Sequence, residues 1–191
     1  ESEYATANFK TTMFVEQLPY VTDFTGNDWL LNNGSCANKW IMGTPSNKEY
    51  SALYISNDGQ SAGYAVGSYS VVSAEKLFAM PADDSVHVSF DFEAGGESSW
   101  DFMKVFLAPS TVEFPASTSS TSSSEKDYAT NAIDFSDYKS QTGSSSYPYM
   151  INLTNGNVIH IDMMVPNPAV KGQAKLAFVW RNDGSGGTQP G

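Results

Sequence analysis

Between Ser85 and Phe92 the chain reads Ser-Val-His-Val-Ser-Phe-Asp-Phe, with Val86, Val88, Phe90 and Phe92 alternating with His87, Ser89 and Asp91. A period of two sends one row of side chains to a core and the other to solvent, the pattern of a half-buried strand. After the turn-forming run of residues 93–99, a second extended stretch at residues 100–108 carries aromatics with Met103, Val105 and Leu107. The two stretches are expected to pair as neighbouring antiparallel strands, forming a central hairpin.

Strand-like runs recur through the chain roughly every 8 to 12 residues, the spacing of an all-β sandwich or barrel. Residues 12–19 read as an edge strand stopped by Pro19, because proline cannot donate to a ladder. Further strands are predicted at residues 20–24, 29–31, 39–43, 50–56, 69–73, 76–80, 158–165 and 175–180. In the run at 158–165, Ile159, Ile161, Met163 and Val165 make one apolar row. Residues 1–19 are read as a leader with an edge strand, and residues 20–191 as one domain with a Ser-rich loop insertion around 115–148. Within that insertion, Ser-Thr-Ser-Ser-Thr-Ser-Ser-Ser from Ser117 to Ser124 has no face to bury and predicts an exposed loop. The fold class is therefore all-β, a sandwich of two antiparallel sheets.

Composition excludes partners more readily than it selects them. The formal net charge is -11, with 10 Lys and Arg scattered along the chain against 21 Asp and Glu. Such a field repels phosphate backbones, so nucleic acid is not expected. No apolar run approaches the ~20 residues that a spanning helix needs, so no insertion into a membrane is expected. Cys36 is the single cysteine and reads as a buried free thiol. His87 and His160 each stand alone in a strand, with no second histidine at zinc-ligand spacing.

Several motifs occur in a fixed order: Trp29 with Asn32-Asn33-Gly34, Lys39-Trp40-Ile41-Met42-Gly43, Ala52 through Asn57-Asp58-Gly59, Ser89-Phe90-Asp91-Phe92, Gly96-Glu97, and Trp100-Asp101 with Val105. The series ends with Ala177 through Arg181-Asn182-Asp183-Gly184 ahead of Pro190. This set resembles the choice-of-anchor and cleaved-adhesin-like domains of Bacteroidetes surface proteins, which are similar to gingipain adhesin domains and to MAM-type jelly rolls. The resemblance runs from about Tyr20 to Gly191. It implies a concanavalin- or MAM-like jelly roll, exported to the outside or outer surface of a bacterial cell. It further implies a monomeric module of a larger protein, without catalysis, that binds a glycan or a surface protein. Calcium is a possible cofactor by the same resemblance, with Asp23 and Asp58 as candidate ligands. The pattern departs from the family at Thr25, where a Glu is usual, and in lacking the family's last-strand Ala-Ile-Asp-Asn before Gly191.

Among the residues themselves, Asp91, Glu97, Asp101, Arg181 and Asp183 form the main candidate cluster. A structural ion cluster, in which Arg181 pairs with Glu97 or Asp101, is the favoured reading, because the guanidinium fork suits carboxylates. The competing reading is a carbohydrate hydrolase using Asp91, Glu97 and Asp101, since glycosidic hydrolysis needs two carboxylates across one bond. Tyr138, Tyr147 and Tyr149 are candidate sugar-stacking residues, with packing onto the sandwich as the alternative. The Asn-Asp-Gly runs at 57–59 and 182–184 offer hard oxygen ligands but are also ordinary turn formers. A passive spacer domain is the third functional class.

Overall fold

In the computed structural model the described residues are 13–97, 100–119, 130–138, 149–151 and 156–186. They contain nine strands: β1 (Val15–Glu16), β2 (Leu30–Asn32), β3 (Lys39–Gly43), β4 (Ala52–Ser56), β5 (Ser70–Ala79), β6 (Ser85–Phe92), β7 (Phe102–Pro109), β8 (Ile159–Pro166) and β9 (Gln173–Asn182). The only helical element among them is a 3-10 turn at Ser136–Tyr138. The chain is all-β, and every strand pair is antiparallel except β1 with β5.

One layer is a five-stranded sheet ordered β1-β5-β9-β7, with β2 also paired to β5. Facing it are two separate two-stranded sheets, β3-β4 and β6-β8, where a single second sheet was expected. The layers close on one apolar interior: Val72, Ala74, Val105 and Ala174 on the larger sheet meet Trp40, Val86, Val88 and Ile161 from the smaller ones. Phe90 of β6 and Phe178 of β9 touch edge to face at 5.5 Å, as two stacked sheets require.

The expected pairing of β6 with β7 does not occur. β6 pairs with β8 over its whole length, from Ser85 opposite Pro166 to Phe92 opposite Ile159, and β7 pairs with β9. The loop between β6 and β7 therefore crosses from one layer to the other. The physical reason lies in the burial patterns. β6 alternates between buried and open positions, whereas β7 is covered on both faces. Its second cover is the segment around Val112–Ser117, where Phe114 packs on Phe106 at 4.9 Å over a small outer core with Ala108 and Ala177. The free edge of β7 is closed by backbone bonds to Ile151, Asn131 and Ile133, which removes an open edge.

Two smaller expectations also change. The stretches predicted at 69–73 and 76–80 fall on the one strand β5, Ser70–Ala79, and residues 20–24 form no strand. Cys36 is a buried free thiol.

Several buried polar groups are held by defined partners. On the outer face of the five-stranded sheet, Lys175 meets Glu75 at 3.1 Å, with both side chains about 95% buried (5% and 4% exposed). Ser73 donates its hydroxyl to Glu75, and Lys175 also bonds the Val112 carbonyl. Asn38 and Asn182, both fully buried, donate to the carbonyls of Ala65 and Ser68 and so hold that loop down. Next to Asn182, Gly184 has φ +78°, and a Cβ there would lie 2.7 Å from the Tyr69 backbone nitrogen, so no larger residue fits.

Candidate functional site

The apolar row of β6 and β8 faces the interior, so the alternate row must face out. It carries His87, Ser89 and Asp91 on β6 and His160, Asp162 and Met164 on β8. The antiparallel register puts Asp91 opposite His160 and Ser89 opposite Asp162. Nδ1 of His160 lies 2.7 Å from Oδ1 of Asp91, and its Nε2 lies 4.0 Å from Oδ2 of Asp162. Nε2 of His87 contacts the other oxygen of Asp162. The result is a continuous row, Asp91, His160, Asp162, His87, that uses both histidines of the chain. All four side chains are more than half exposed, at 57% to 66%.

Each contact sets a tautomer. A neutral imidazole beside a carboxylate must turn its N–H toward it, so His160 carries its hydrogen on Nδ1 and His87 on Nε2. Exposed pairs of this kind contribute only about 0 to 1 kcal/mol each to stability. The row is therefore poorly explained as a stabilising device and well placed to meet something from solution.

Of the aromatic candidates, Tyr138 reaches this sheet from the 3-10 turn. Its hydroxyl donates to the Asp162 carbonyl at 2.7 Å and accepts from the Asp162 N–H at 3.1 Å, capping the β8 edge. Its ring packs against the core, so it acts as a plug. Tyr149 is half-buried beside Met150, and Tyr147 lies outside the described residues, as do Pro190 and most of the Ser-rich insertion.

The five-residue cluster divides. Asp91 belongs to the exposed row, whereas Asp101 is buried under Tyr64, whose hydroxyl donates to Oδ2 of Asp101. The Glu97 and Asp183 N–H groups add bonds to the same carboxylate at 3.2 and 3.3 Å. Burial holds the Asp101 carboxyl above its ordinary value despite these donors. Burial, and then the Asp101 carboxylate, push the Tyr64 hydroxyl far up. Oε2 of Glu97 is buried without a hydrogen-bond partner among the described residues. Arg181 donates to the Trp100 carbonyl at 2.7 Å and lies over the Tyr69 and Phe102 rings at 5.6 and 5.4 Å. Asp91 and Asp101 thus stand in different surroundings, one open and one buried.

Both candidate calcium ligands accept hydrogen bonds within their own turns. Asp58 accepts four hydrogen bonds from Ser56, Gln60 and Ser61 at 2.6 to 2.8 Å, and those donors hold its carboxyl well below the usual range. Asp23 accepts from the hydroxyl and N–H of Thr25, which lower it in the same way. No group of three metal-ligating side chains exists among the described residues.

A shallow depression of about 450 Å³ lies at Tyr20, Val21, Thr22, Asp23, Gly26 and Asp28. Its polar groups are already engaged: Tyr20 and the buried Lys76 both donate to Oδ2 of Asp28, at 2.8 and 2.7 Å. Burial opposes ionisation of Asp28, but the Lys76 ammonium outweighs it and keeps the carboxyl low.

Single-strand reasoning missed the row, because each histidine is alone in its own strand. The available signal was the polar alternate row in both strands, which becomes one site only once β6 and β8 are paired. No helix among the described residues is long and apolar enough to cross a membrane. Comparison with protein-family models, with curated proteins and with solved structures gives no match to this chain.

Proposed function

We propose that this chain is a non-catalytic binding module, exported to a bacterial cell surface, that presents the outer face of β6-β8 to the hydroxyl groups of a neutral glycan. The observation that carries this reading is the exposed row itself. It sets two carboxylates and two imidazoles side by side on rigid strands, over roughly 14 Å at ~3.4 Å per residue. Carboxylates accept from sugar hydroxyls, and the row leaves oxygens open to solvent. The net charge of -11 disfavours acidic polysaccharides and so favours a neutral ligand. The order of motifs that resembles surface adhesin domains supports the placement outside the cell.

The test is a glycan array probed with this chain and with the Asp91→Asn and Asp162→Asn variants. Binding of one or more neutral oligosaccharides, lost in either variant, is the expected result. Equal signals from all three proteins, or none from the parent chain, would overturn the reading.

A further inference from the structure

Among the described residues, the aromatic side chains that stand exposed are Phe14, Tyr50 and Trp100. Phe14 immediately precedes β1, and Trp100 leads into β7 with its carbonyl bonded to Arg181 of β9, so both belong to the five-stranded sheet. Tyr50 is tied to β6 instead. It lies in the loop between β3 and β4, and its hydroxyl donates to Oε2 of Glu93 at 2.9 Å. Glu93 follows Phe92, the last residue of β6, and the period of two that turns His87, Ser89 and Asp91 outward makes it the next position of that row. Its carboxylate is fixed in turn by Lys48 of the same loop, which donates to both oxygens at 2.9 Å. The Lys48 and Glu93 side chains are 23% and 24% exposed, whereas Tyr50 is 48% exposed. The polar tip of the tyrosine is thus held while much of its ring stays open to solvent. Hydrogen bonds at so exposed a place contribute little to folding, but they remove rotamer freedom that a ligand would otherwise have to remove on binding.

We infer that Tyr50 is the aromatic platform of the β6-β8 face: its ring stacks on the C–H face of one pyranose, while further sugar units along the strands give their hydroxyls to Asp91 and Asp162. This inference rests on the glycan-binding reading and narrows its ligand. A flat aromatic ring favours a sugar whose C–H groups gather on one side, as they do in gluco- and galacto-configured pyranoses. From His87 to Glu93 the outward row runs roughly 20 Å at ~3.4 Å per residue, a length that suits an extended oligosaccharide rather than a single sugar. Lys48 cancels the charge of Glu93, so the platform end of the face suits a neutral unit. Glu93 is a positioning residue, since Tyr50 and Lys48 already occupy its oxygens.

The test is titration calorimetry of the chain with cellotetraose and with galactotetraose, using the parent and the Tyr50→Ala, Tyr50→Phe, Trp100→Ala and Asp91→Asn variants. The parent should bind at least one of the two. Tyr50→Ala should weaken that binding about tenfold or more, as truncation of an aromatic anchor does. Tyr50→Phe keeps the ring and loses only its tether, so its affinity should stay within about threefold of the parent. Trp100→Ala should stay within about twofold. Equal losses in Tyr50→Phe and Tyr50→Ala would overturn the stacking role. Binding lost in Asp91→Asn but unchanged in Tyr50→Ala would overturn the platform and leave the glycan reading standing. Binding of other neutral glycans on the array, with neither tetrasaccharide bound, would do the same. Binding of no neutral glycan by the parent chain would overturn both.

Discussion

Replacing Tyr64 by Phe removes one atom, the hydroxyl oxygen that bonds Asp101. Tyr64 is 4% exposed and Asp101 2%, so water has little access to the carboxylate left behind. The ring stays, and with it the edge-on contact to Trp180 at 4.9 Å. What is lost is a hydrogen bond to a buried charged group, worth about 1.5 to 3 kcal/mol. The N–H groups of Glu97 and Asp183 remain, but at 3.2 and 3.3 Å they are the longer contacts. For a domain of this size about 2 kcal/mol corresponds to a melting point about 4 to 8 °C lower. The pH dependence adds a sign. The Tyr64 hydroxyl is raised by burial and by Asp101, so its contribution is complete below the unfolded tyrosine value near ~10 and is lost as pH rises beyond it. Asp101 is raised as well, so its own contribution also declines with rising pH. The deficit of Tyr64→Phe should therefore be largest near neutrality and narrow above about pH 10. Urea unfolding at pH 7 and at pH 10.5 measures both effects. A deficit under about 0.5 kcal/mol at pH 7 would refute the view that this bond ties the β6-β7 crossover to the sandwich.

Other consequences follow from the packing. Phe178→Ala empties the space between Trp29 and Phe90 and should cost about 3 to 5 kcal/mol by denaturant unfolding. Glu75→Gln leaves the buried Lys175 without its counter-charge and should cost about 3 to 5 kcal/mol. Adding Lys175→Met should recover much of that loss, and no recovery would count against a paired buried charge. Melting curves with and without EDTA should superimpose, because donors of their own turns already engage Asp58 and Asp23. A downward shift with EDTA would restore the calcium expectation.

The layers were legible because the alternation at residues 85–92 and 158–165 is a direct statement of which side chains face inward. The meeting of Phe90 with Phe178 follows from the same rule, whereas β3 was legible from the turn cluster before it. Strand partners were not legible from neighbourhood in the sequence, since the loop after Phe92 changes layers. A clue was present in the run from Phe102 to Ala108, which carries apolar residues on both faces, whereas β6 is open on one side. Asn182 reads as a turn former, and only tertiary contacts reveal it, with Asn38, as a buried donor to the 65–68 loop. Nearness in the sequence groups Asp91 with Glu97 and Asp101, and the structure sets it opposite His160. Its partner His160 lies 69 positions away, and pattern within one strand cannot report a cross-strand neighbour.

The most direct check on the binding face is amide chemical-shift mapping of the nitrogen-15-labelled chain during titration with an array-selected neutral oligosaccharide at pH 8. The account predicts saturable shifts concentrated at His87, Ser89, Asp91, His160 and Asp162. Shifts centred instead on the depression at Tyr20 to Asp28, with the β6-β8 face unmoved, would contradict it.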